Sequence, residues 1–129
     1  MFRATLLATI FALCGTGLFA QDDLAQYQEH MKAANVANRA LGAAVKAGDT
    51  AAVTTNATNL ATNFDWIATF FQGKGKDDAV KFAQAASAAA KATGAAKTPD
   101  EMAAAVAKIA PNCQGCHAVY RAGSAFKGM

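Results

Sequence analysis

Three cysteines, two prolines and one tryptophan are all that this 129-residue chain holds of those residue types, and only 16% of its residues are charged. Other features are missing outright, and each absence excludes something. No stretch sustains the alternation of β-branched and polar residues that a strand needs, which argues against a sheet-based fold. There is no Lys/Arg cluster and the formal net charge is only +3, so nucleic acid is set aside as a partner. No nucleophile with an adjacent base and no converging pair of carboxylates stands out, so the chain is not expected to be an enzyme. Low-complexity linkers and internal repeats are missing as well.

The most apolar run, Ala4 to Cys14, follows the basic start Met1-Phe2-Arg3, is succeeded by Gly15 and Gly17, and gives way at Ala20 to Gln21-Asp22-Asp23. It is too short to span a bilayer and has the layout of a secretory signal peptide, residues 1–20, removed on export. No membrane anchor is expected, and the expected compartment is the periplasm. Bulky Leu13 before Cys14 argues against lipidation of that cysteine. Cleavage after Ala20 leaves 129 − 20 = 109 residues, enough for a single domain over 21–129. It also leaves Cys113 and Cys116 as the only cysteines in an oxidising compartment.

What is present is helical periodicity, which predicts an all-α fold. From Asp22 to Ala47 the seam is Leu24, Tyr27, Met31, Ala34, Asn38, Leu41 and Val45, with Asn38 placed at its solvated edge. Gly48 suits the close of this helix, and Asp49 or Thr50 the cap of a second with seam Val53, Ala57, Leu60, Phe64, Ile67 and Phe71, ended by Gly73 and Gly75. A third runs from Asp77-Asp78 to Thr93, with Val80, Phe82, Ala83, Ala86 and Ala90 expected inside and Gly94 as its stop. Thr98, Pro99 and Glu101 form a capping box for a fourth, whose seam is Met102, Val106, Ile109, Cys113, Cys116 and Tyr120. Pro111 is expected to kink or break it, Asn112 to recap it, and residues 122–129 to trail as a frayed tail. Short connections between helices of this length favour an antiparallel up-down-up-down four-helix bundle.

The chemistry is concentrated in Cys113-Gln114-Gly115-Cys116-His117. On a helix the two thiols and the imidazole, three and four residues apart, lie on one side, as covalent attachment of one haem c requires: two thioethers to the porphyrin and a proximal nitrogen, His117, on its iron. A thioredoxin-like pair would need strands around it, a structural zinc would have only His30 to add, four ligands at most and drawn from distant helices, and a plain disulfide leaves His117 without a role. The sixth iron position must come from another helix or stay open. Met31, on the first helix's seam, and His30, about 100° off it, are the candidates. The plain alternatives are a core-filling methionine and a solvated histidine.

Cys113-Gln114-Gly115-Cys116-His117-Ala118-Val119-Tyr120-Arg121, late in the chain, together with Tyr27-Gln28-Glu29-His30-Met31-Lys32 on the first helix, resembles the class II c-type cytochromes, the cytochrome c′ family and its low-spin relatives. The order is the inverse of class I cytochromes c, whose attachment motif precedes the methionine. The resemblance implies an antiparallel four-helix bundle holding one haem c, often paired as a homodimer through the first two helices. It implies that Met31 is the distal iron ligand of a one-electron carrier that serves redox partner proteins. The family's other branch leaves the iron five-coordinate and binds nitric oxide or other small gases. Arg121 is carried over as a basic residue on the proximal side. Two departures stand out: Tyr27 replaces an arginine common four residues before the ligand position, and the mature chain is short for cytochrome c′.

Overall fold

The structure, a computed structural model, describes residues 17–122 and 125–126, with side chains from residue 23 to residue 121. Residues 1–16, most of the expected leader, lie outside the described residues; 17–20 open the first helix. In order along the chain are α1 (Gly17–Ala47), α2 (Thr50–Gly73), α3 (Asp77–Ala95), α4 (Pro99–Val106), α5 (Ile109–Tyr120) and two short strands, β1 (Arg121–Ala122) and β2 (Ala125–Phe126). The fold is an all-α helical bundle. α1 packs on α2, α2 on α3, and α3 on both α4 and α5, while α4 closes back on α1. Among the described residues no helix is long and apolar enough to cross a membrane.

Local chemistry sets most of the helix ends. Gly48, at φ 68°, lets the backbone turn left-handed and return the Asp49 amide to the Ala44 carbonyl at 3.1 Å. Asp49 then caps α2, its carboxylate accepting from the Ala52 amide at 3.0 Å. The capping box of α4 forms in both directions: the Glu101 amide donates to Thr98 Oγ1 at 3.2 Å, and Glu101 Oε2 accepts from the Thr98 amide at 3.1 Å. All six seam residues expected on α2 are buried.

Three expectations are corrected. Gly94 does not stop α3, which continues to Ala95; a Cβ there would stand 3.0 Å from the Ala57 Cβ, so the glycine serves the close approach of α3 to α2. Val80 and Phe82 are only half-buried, and the inward face of α3 is instead made of small residues, with Ala79, Ser87, Ala89 and Thr93 buried beside Ala83, Ala86 and Ala90. The break expected from Pro111 is present and falls at the Ala107-Lys108 turn, because the carbonyl that Pro111 leaves without a donor lies four residues upstream. Asn112 sits inside α5 and does not recap it; its amide donates back to the Lys108 carbonyl at 2.9 Å.

In the stretch expected to trail as a frayed tail, 122 pairs with 125, and Arg121 just before it pairs with 126, as an antiparallel bridge. Across α2 and α3, Asp65 accepts from Ser87 Oγ at 2.6 Å and from Lys91 Nζ at 2.8 Å. Partial burial opposes ionisation of Asp65, but these donors outweigh it and hold the carboxyl below its usual range.

Candidate functional site

The break before α5 frees the last helical segment to tilt its cysteines inward. Gln114, Ala118 and Val119 stay exposed, whereas Cys113, Cys116 and His117 are half-buried and face one cavity. Met31 enters the same cavity from α1, together with Tyr27. α2 contributes Phe64, Ile67 and Phe71, and α3 contributes Phe82, Ala83 and Ala86. The atom-free space is about 330 Å³ with its open mouth included, and its walls are almost wholly apolar. Four residues singled out from the sequence, Cys113, Cys116, His117 and Met31, are therefore brought together.

Both cysteines are free thiols. Burial pushes both up, and for Cys116 the nearby Asp78 adds to it, reaching about 11. At neutral pH both are protonated, the opposite of the low-pKa thiolate that marks a disulfide-exchange site. Burial lowers the His117 imidazole, and the Arg121 guanidinium lowers it further. A neutral ring with a lone pair is the form that binds iron. Arg121 follows the last turn of α5, its amide bonded to the His117 carbonyl, which keeps its charge near the His117 ring.

Gly115 has a geometric reason to be glycine: a Cβ there would lie 2.5 Å from Cε1 of Phe82, whose ring lies against the motif from α3. At the other end of α5, the Tyr120 hydroxyl donates to Asp78 Oδ1, fastening α5 to the start of α3. Phe71, fully buried, stands edge-on to Tyr27 at 5.6 Å and tilted against Tyr120 at 5.5 Å, so one ring joins the α1, α2 and α5 walls.

His30 is not in the cavity. It turns to α2, where its ring stacks on Trp66 at 4.0 Å and 16° and its Nδ1 meets Asn63 Oδ1 at 2.8 Å. Trp66 stacks on Phe70 at 5.7 Å and Phe70 on Tyr27 at 4.9 Å. The sequence reasoning missed Asn63, Trp66 and Phe82 as partners of the site. A signal existed for two of them: Asn63 and Trp66 each directly precede a seam residue of α2, as His30 precedes one of α1, and such positions flank a helix seam and meet across it.

The donor set fits a haem c. Two thiols and an imidazole share one side of a helix, a thioether faces the same space, and the remaining walls are aromatic or aliphatic apart from Asn112. No cluster of three or more His, Cys, Asp or Glu side chains able to hold a metal occurs among the described residues. No family model, no curated protein and no solved structure matches this chain.

Proposed function

We propose that this chain is a periplasmic c-type cytochrome of the class II kind, carrying one haem c on Cys113 and Cys116 and acting as a one-electron carrier. The observation that supports it is the meeting of Cys113, Cys116 and His117 with Met31 on one apolar cavity, from helices far apart in the chain. When bound, the haem supplies an iron that exchanges single electrons between its ferric and ferrous forms.

In this reading Cys113 and Cys116 would hold the macrocycle on α5, and His117 and Met31 would be the side chains that bind its iron. A soft thioether favours ferrous iron and raises the potential. Phe64, Ile67 and Phe71 keep water from the cavity, and a low dielectric also favours the less charged ferrous state. The positive charge of Arg121 acts in the same direction. The helices alternate in direction, and two copies pair through α1 and α2. The partners are other redox proteins, and no bond-making chemistry is assigned to the chain.

The test is a visible absorption spectrum, oxidised and reduced, of the protein expressed with periplasmic haem maturation. A ferric band characteristic of sulfur bound to iron supports the carrier. A high-spin spectrum that changes on adding nitric oxide replaces it with a five-coordinate gas-binding protein. Absence of haem absorption overturns both and leaves a haem-free helical interaction module. Met31→Ala should convert low-spin haem to high-spin; an unchanged spectrum removes Met31 as a ligand.

A further inference from the structure

We infer that Asn63 and Trp66 of α2, acting through His30, are positioning residues for Met31 and set how firmly the sixth iron position is closed. The inference rests on the proposed ligation by His117 and Met31. A methionine side chain has three rotatable bonds, so a thioether reaches a fixed point only as reliably as its backbone is held.

Both neighbours of Met31 in the α1 surface are gripped by the same stretch of α2. One residue before it, the His30 ring lies flat on Trp66 at 4.0 Å and bonds Asn63 Oδ1 at 2.8 Å. The amide nitrogen of Asn63 donates to the Asn59 carbonyl at 2.7 Å, which fixes its oxygen toward His30 and makes His30 Nδ1 the donor. One turn before Met31, Tyr27 is stacked on Phe70 at 4.9 Å, and Phe70 on Trp66 at 5.7 Å and 18°. Four near-parallel rings thus run beside Met31.

Further along, the buried stripe of α1 is Ala34, Ala37, Leu41 and Ala44. Aliphatic packing of that kind is non-directional and tolerates sliding. A hydrogen bond and a ring stack do not. His30, Asn63 and Trp66 are all outside the cavity lining, so they can act on the site only through residues that line it, and Met31 is the lining residue that directly follows His30.

Holoprotein variants Asn63→Leu and Trp66→Leu test this by the sulfur-to-iron band and by equilibrium binding of imidazole, which competes with Met31 for ferric iron. Both should weaken the band and tighten apparent imidazole affinity several-fold. Asn63→Asp, which still accepts from His30, and Trp66→Phe, which keeps a ring to stack on, should restore most of the wild-type behaviour. Ser87→Ala, which loosens the contact of α3 with α2 instead, should lower the melting temperature without moving either readout. Lower melting temperatures for Asn63→Leu and Trp66→Leu with unchanged band and imidazole affinity overturn the inference and leave the clasp purely structural. If the wild type lacks the sulfur band, or Met31→Ala does not abolish it, the ligation reading fails and takes the inference with it.

Discussion

Phe71→Ala tests whether one ring holds the site's walls together. Phe71 is fully buried, edge-on to Tyr27 at 5.6 Å and to Phe70 at 5.3 Å, and tilted on Tyr120 at 5.5 Å. Truncating a buried phenylalanine costs about 3–5 kcal/mol, the transfer of the ring plus the cavity it leaves. Collapse into that cavity is hindered here because its neighbours are themselves rings anchored on three helices. For a domain of this size the unfolding entropy is roughly 0.23 kcal/mol/K, so the melting temperature should fall by about 13–22 °C. Urea unfolding followed by circular dichroism should show a lower midpoint at an unchanged slope. Val36→Ala, at a residue 69% exposed, is the comparison and should stay within about 0.5 kcal/mol of wild type. A loss below about 1 kcal/mol for Phe71→Ala, with the helical signal intact, would refute the packing argument, since no well-filled aromatic junction yields so cheaply.

Tyr120→Phe should alter the pH dependence of stability at both ends. The bond from Tyr120 depresses the Asp78 carboxyl, a contribution present above the ordinary carboxyl value and lost as pH falls through the lowered one. The same bond raises the Tyr120 phenol to about 12, a contribution present below the ordinary phenol value and lost as pH rises through the raised one. The wild-type-minus-variant difference in urea midpoint should therefore be widest between about pH 4 and pH 10, and a difference flat across pH would contradict the bond. Thr98→Ala removes the acceptor for the Glu101 amide and should cost about 1 kcal/mol, visible as a melting point lowered by roughly 4 °C. No change there would mean that Glu101, bonded to the Lys97 and Thr98 amides, holds the helix start by itself.

How much of this was legible in the sequence differs from helix to helix. α2 was transparent because large residues, Leu60, Phe64, Ile67 and Phe71, mark its buried stripe without ambiguity. α3 was opaque because alanine suits either face, so Val80 and Phe82 drew the expected stripe toward themselves although the helix buries Ala79 and Ala89 instead. Gly94 looked like punctuation, and only the nearness of Ala57 shows that it is a contact. At the site, the motif on α5 was legible in its residue types and spacing, and helical phase put Met31 on the seam and His30 off it, in keeping with which of the two lines the cavity. The seam-flanking positions of His30, Asn63 and Trp66 were visible in each helix, but which of them meet depends on the register of α1 against α2, which neither pattern fixes by itself.

The small-residue interior of α3 bears on how this protein can change over generations. Ala79, Ala89 and Ala90 are each at most 7% exposed and lie outside the cavity lining. A larger side chain there overfills the interior, at a cost of about 1–3 kcal/mol, while glycine gives up about 1 kcal/mol of helix preference. Both directions of drift are closed, so a mutational scan should find α3's inner face the least permissive stretch of the chain, although none of those alanines carries any chemistry.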